Sequence, residues 1–221
     1  MLLADLESCA VTAVIKDGKP VDDESFAGRR AIAPVGLGSV KLDPVGAEIF
    51  AMPGDATIMP VIGVTAGSIV TQRLQMPIVA RDGARIGDIA NDVLKVAVLA
   101  RGALASSVGH DSHNVCVIGA NDADMAVAVN RLIALQGGFV AAAEGAVLAE
   151  LALPVAGLMN PGRFEEVERG LKGLRAAVRA LGCTLPEPFL QLAFLALPVI
   201  PHLKITDRGL VDVDKFELIA A

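Results

Sequence analysis

Hydrophobic and polar positions follow two different rhythms along the chain. Met125, Ala128, Val129, Leu132 and Ile133 recur at helical spacing behind Asn121-Asp122, which supplies an N-cap, and the run stops at Gly137-Gly138. A second helical stripe opens after Asn160-Pro161-Gly162. It carries Phe164, Val167, Leu171, Leu174, Val178 and Leu181 at steps of three or four and closes at Gly182. Glu165, Glu166 and Glu168 near its start and Arg175 and Arg179 near its end suit the helix dipole. Such a stripe predicts packing on a sheet. Gly170 and Gly173 within it each cost about 1 kcal/mol against Ala, which points to a close backbone contact.

The other rhythm is that of short strands. Residues 10–15 are small or branched and run into an Asp17-Gly18 turn; residues 61–74 read as a strand pair broken at Thr65-Ala66-Gly67-Ser68. Residues 92–99, 103–108 and 115–118 are further strand candidates, and residues 139–153 form a hairpin turning at Glu144-Gly145. Two short strands surround Thr206-Asp207-Arg208-Gly209. With no steady βαβ alternation, the fold class is α+β: mixed or antiparallel sheets, two main amphipathic helices and a short N-terminal β piece. The acidic stretch 22–30 and the Pro- and Gly-rich stretch 31–60 divide the chain into an N-terminal piece at 1–28, an irregular linker at 29–60 and a main domain at 61–221.

Composition narrows the class. A chain of 221 residues that is 53% hydrophobic and 20% charged is no disordered tail. The net charge is −6, the 19 basic residues are scattered and Trp and Tyr are absent, so neither a phosphate-binding stripe nor a base-stacking platform exists and nucleic acid is excluded as a partner. Cys9, Cys116 and Cys183 stand far apart without a CxxC, consistent with reduced thiols in a cytoplasmic protein. The N-terminus lacks the basic start of a secretory signal. The apolar stretch 189–200 is about half the roughly 20 residues of a membrane span and holds Gln191 and Pro198, so it reads as core and no membrane is expected.

No phosphate-binding loop, dinucleotide fingerprint, nucleophile elbow or HExxH motif is present. One polar cluster stands out, His110-Asp111-Ser112-His113-Asn114, set between apolar runs. On a helix His110 and His113 share a face and grip one metal; on a strand they face apart, and Asp111 pairs with His113 instead. Val108 and the run 115–118 favour strand or turn, which puts a structural hydrogen-bond network ahead of a metal site. A ligand pocket shared with another domain is the third reading. His202, between Pro201 and Leu203, reads as solvated or capping; Asp122 and Asp124 as helix caps; Asp207, Asp212 and Asp214 as turn and exposed-strand positions. No residue is assigned a catalytic role.

Several segments taken in order resemble the C-terminal portion of bacterial adenine deaminase, of the amidohydrolase superfamily. They include Ile62-Gly63-Val64, Asp92-Val93-Leu94-Lys95, Gly102-Ala103-Leu104, the 110–114 cluster, Asn121-Asp122-Ala123-Asp124-Met125, Leu153-Pro154-Val155-Ala156-Gly157, Phe194-Leu195-Ala196-Leu197-Pro198 and Thr206-Asp207-Arg208-Gly209. Residues 4–21 are similar to the last strands of the β-sandwich that flanks the barrel in that superfamily. The resemblance implies hydrolysis of adenine to hypoxanthine and ammonia by a complete enzyme holding a Mn or Fe pair, which activates water for attack at C6. It also implies a barrel domain as partner, in cis or in trans, and a homo-oligomer. A pair of that kind uses four histidines; three are present here, so no cofactor is expected in this chain alone and the chain is expected to be inactive by itself. Relatives also carry a Glu-Arg-His and glycine-rich stretch where Leu99-Ala100-Arg101 joins directly to Gly102, and an alanine where Gly109 stands. The rival readings are a freestanding purine- or metal-binding module around His110, Asp111 and His113, and an assembly domain with residues 189–200 in a subunit interface.

Overall fold

The computed structural model describes residues 1–28, 33–99, 106–109 and 114–219. The chain divides into two units, Met1–Pro34 and Val35–Ala221. In the first, β1 (Leu2–Leu3) pairs antiparallel with β2 (Val11–Ala13), and β3 (Ile15–Lys16) with β4 (Lys19–Pro20). Asp17 and Gly18 both take positive φ between the latter two strands, the backbone that a two-residue hairpin turn needs. None of the described residues of this unit is buried.

The larger unit begins with chain that the sequence reads as a linker. It has little regular structure, yet Phe50, at the end of a 3-10 turn (Ala47–Phe50), is buried. Both backbone groups of Val45 are held by the Asn130 side chain, at 2.8 and 2.9 Å. Short strands β5 (Met52–Pro53), β8 (Ala80–Arg81) and β9 (Ala84–Arg85) share a small sheet, and β6 (Thr57–Gly63) pairs with β7 (Gln72–Ile78) in a longer hairpin.

The central sheet is made of two antiparallel pairs, β10 (Lys95–Leu99) with β11 (Val115–Gly119) and β12 (Gly138–Ala143) with β13 (Ala146–Ala152). Ser106 bridges Cys116 of β11 and Phe139 of β12, and so knits the pairs into one sheet. Alternation along β12 sorts its side chains. Val140 and Ala142 join the core under α1 (Asp122–Leu135), while Phe139 and Ala141 join the one under α2 (Phe164–Ala180). The sheet is therefore covered on both faces. Asn121 caps α1 by accepting from the Asp124 N–H at 2.8 Å, and α2 seats Leu174, fully buried, against Ala141, Leu151 and Leu153. Gly170 shows the expected close approach, since a Cβ there would stand 2.9 Å from Leu151 Cδ1; Gly173 faces open space.

The apolar stretch at 189–200 contributes a third helix, α3 (Pro188–Leu195), with Pro188 at its first position and Leu192 and Leu195 buried. Its Phe189 ring lies 5.0 Å from that of Phe139. A meander of β14 (Leu203–Thr206), β15 (Gly209–Asp212) and β16 (Glu217–Leu218) completes the unit. The architecture is α+β, with antiparallel pairing throughout the described strands. No helix among the described residues is long and apolar enough to cross a membrane.

Candidate functional site

Of the five polar residues singled out at 110–114, Asn114 is described; His110, Asp111, Ser112 and His113 lie outside the described residues, as do residues 103–105 of the strand expected at 103–108. What the structure gives is the frame on either side. Ser107 is buried, and its hydroxyl donates to the Gly157 carbonyl at 2.5 Å while accepting from the Gly138 N–H at 2.8 Å. Its own N–H donates to the Gly138 carbonyl at 3.1 Å. Residues 106–109 are thereby clamped between the turn after α1 and the turn at 155–157. The two glycines make this possible: a Cβ on Gly138, at φ +130°, would stand 1.9 Å from the Leu151 carbonyl oxygen. At the end of the clamp, a Cβ on Gly109 would stand 2.7 Å from the Asn114 carbonyl oxygen, so Gly109 and Asn114 touch backbone to backbone.

Asn114 lines a cleft of about 230 Å³. Its walls are Val98 of β10 and Ala196 and Pro198 after α3, and its rim is the Thr206-Asp207-Arg208 turn between β14 and β15. The turn is fixed by the Thr206 hydroxyl, which donates to the Gly209 carbonyl and accepts from the Arg208 N–H, both at 3.2 Å. The hollow is mostly apolar, and Asn114, Asp207 and Arg208 are the polar residues nearest to it besides Thr206. Two sequence segments far apart converge here, and only their shared place in the resemblance connected them beforehand.

The remaining candidates serve other ends. His202 Nδ1 lies 2.6 and 2.9 Å from the two oxygens of Asp214, a half-exposed pair that ties the residue before β14 to the turn between β15 and β16. Asp214 is accordingly more than a turn residue. Asp212, expected on an exposed strand, is buried and pairs with Arg73 of β7. Asp122 sits in the first turn of α1 as expected but also holds the buried Lys95. Lys204 of β14 is fully buried, with its ammonium donating to the Ile69 carbonyl at 3.0 Å; burial pushes its pKa down to about 8. Burial likewise pushes the Cys116 thiol up to about 12, so it is no nucleophile at neutral pH. Sequence reading missed these buried ions because a charged residue on a strand looks outward-facing until its neighbours are known.

Among the described residues no three His, Cys, Asp or Glu side chains gather closely enough to hold a metal ion.

Fold and site together define a small α+β domain with a mostly apolar cleft beside Asn114. Comparison gives it a family. The model for the adenine deaminase C-terminal domain matches residues 74–217, and the chain belongs to that family. It is 58% identical to an adenine deaminase of Methylobacterium nodulans, over 99% of this chain and 42% of that protein. An adenine deaminase of Methylobacterium sp. (strain 4-46) is 55% identical and adenine deaminase 1 of Rhizobium johnstonii 49%, with the same shares covered. The chain thus spans about two fifths of the length of the curated relatives it matches and corresponds to their C-terminal portion. The alignment with the Methylobacterium nodulans protein runs over 238 positions against 221 residues here, so the relative carries residues with no counterpart in this chain.

Proposed function

We propose that this chain works as the C-terminal part of an adenine deaminase, which converts adenine and water to hypoxanthine and ammonia in the cytoplasm. The observation that carries the reading is the match over 99% of this chain to proteins of that name that extend well beyond it. The metal centre belongs to the portion not included here, an amidohydrolase barrel joined in cis or in trans. When bound there, a Mn or Fe pair supplies hydroxide at neutral pH by lowering the pKa of its water. The contribution of this chain is to bind and orient. Ser107 and the Gly109–Asn114 contact fix the backbone at residues 106–109 and at Asn114, the candidates at 110–114 bind the substrate, and the assembled enzyme is a homo-oligomer.

The test mixes the purified chain with Mn and adenine, first alone and then with the separately expressed remainder of the Methylobacterium nodulans relative. Hypoxanthine release is expected only from the mixture. Substantial release by the chain alone, or none from a mixture that has assembled, removes the reading. The cleft beside Asn114 favours a second reading, a freestanding purine pocket. Calorimetry with adenine and hypoxanthine separates the two, since heat with the isolated chain supports the pocket.

A further inference from the structure

Residues 56–72 and 188–201 contain no Asp, Glu, Lys or Arg, although 20% of the chain is charged. The fold brings residues 65–71 of the first against Gln191 and Pro201 of the second. Gln191 of α3 donates its amide to the carbonyls of Thr65 at 3.1 Å and Ser68 at 2.9 Å. The Thr71 N–H donates to the Pro201 carbonyl at 2.9 Å, and the His202 N–H to the Thr71 carbonyl at 3.2 Å. These bonds fasten the connection between β6 and β7 to α3 and to the chain that follows it. On the surface of the fastened region stand Val64 (39% exposed), Ile69 and Val70 (44% each), Leu190 (55%) and Val199 (64%).

Scattered exposed apolar side chains are ordinary on any protein. Five of them drawn from two charge-free stretches that the backbone holds together are a different matter, because depletion of charge marks the centre of a protein interface. The outer face of α2 makes the contrast. There Glu168, Arg169, Lys172 and Arg179 meet water, and Glu168 and Lys172 pair at 2.5 Å along the helix.

We infer that the surface of Val64, Ile69, Val70, Leu190 and Val199 is the seat of the adenine deaminase portion that this chain does not include. The inference deepens the functional reading above and rests on it for the identity of the occupant. The matched relatives have more than half of their length outside the segment shared with this chain, so a body larger than the chain itself is available to cover a face of it. Exposed apolar side chains carried on two stretches without charged residues fit a folded polypeptide that buries them in a lasting interface.

The experiment titrates the full chain with the remainder of the Methylobacterium nodulans relative, reading affinity by calorimetry and amide exchange with and without the partner. Binding is expected, with slowed exchange at 64–70 and 189–199. Leu190→Glu and Val199→Glu should each weaken binding by about tenfold or more, as central interface positions do. Lys172→Glu should bind unchanged. Both apolar positions face solvent in the free chain, so thermal melting of the free variants should match the parent. Absence of binding, protection confined to residues 1–28, or glutamate variants that bind like the parent would overturn the inference. So would sedimentation showing that a second copy of this chain occupies the patch. A complex that forms through the patch but releases no hypoxanthine supports the surface and defeats the activity, so the two failures are distinguishable.

Discussion

The ammonium of Lys95 stands 2.6 and 2.9 Å from the two carboxylate oxygens of Asp122 and 3.1 Å from the carbonyl of Phe50. Three elements meet at this point: β10, the first turn of α1 and the 3-10 turn at Ala47–Phe50. Lys95 is 7% exposed, so its charge is tolerated only because a carboxylate and a carbonyl replace water. Asp122 also sits where the helix dipole favours an anion. One residue thus both starts a helix and neutralises a buried cation.

Removing one ion should therefore do more harm than replacing the other. Asp122→Ala leaves the ammonium with one acceptor and should cost about 3 kcal/mol, whereas Lys95→Met, which keeps the apolar stem, should cost about 1 kcal/mol. Urea unfolding of the two variants gives the order. Equal losses would mean that the unpaired ammonium is no costlier to leave buried than the unpaired carboxylate.

Ser107 offers a second, independent probe. Ser107→Ala strands a buried carbonyl at Gly157 and a buried N–H at Gly138, with an expected loss of about 2 kcal/mol. Faster amide exchange at Gly138 should accompany the lower melting temperature. Loss of stability without any change at that amide would place the effect elsewhere.

The alkaline pH dependence follows from two buried groups of opposite sign. Lys204 titrates at about 8 in the folded chain against an ordinary 10.5, so between those values the unfolded chain binds more protons and stability rises with pH. Cys116 titrates at about 12 against an ordinary 9.0, so above pH 9 the folded chain binds more protons and stability falls. The clean window is pH 8 to 9, where the slope is positive and at most about 1.4 kcal/mol per pH unit. Lys204→Met should abolish the rise, and Cys116→Ala should extend it towards pH 10.5. Urea midpoints across this range check both signs.

What the sequence disclosed, and what it withheld, divides on physical lines. Helices α1 and α2 and the β12–β13 hairpin were legible because each carries its own punctuation: Asn121 as a cap, Gly137-Gly138 as a stop, Glu144-Gly145 as a turn. Helix α3 was not legible as a helix, since residues 188–195 are apolar almost all round and show no polar face against which a period can be read. The same holds for Lys95, Lys204 and Asp212, whose burial depends on partners from distant segments. Of the candidate site, the polar run 110–114 could be picked out by composition. The cleft joining Asn114 to Arg208 could not, because no local pattern links the residue before β11 to a turn after β14.

Three glycines rank one another without reference to function. Gly138 takes φ +130° and has the Leu151 carbonyl oxygen 1.9 Å from where a Cβ would stand, so Gly138→Ala is opposed by both backbone and space and should cost about 3 kcal/mol or more. Gly109 lacks the positive φ but faces the Asn114 carbonyl oxygen at 2.7 Å. Gly109→Ala must move that carbonyl, at a cost of about 1 to 2 kcal/mol. Gly173 lies inside α2 with nothing within 4 Å, so Gly173→Ala should stabilise the chain by up to about 1 kcal/mol. Thermal melting of the three variants tests the series. If Gly109→Ala proves neutral, the Gly109–Asn114 contact yields easily and is not the fixed support that orientation of a substrate requires.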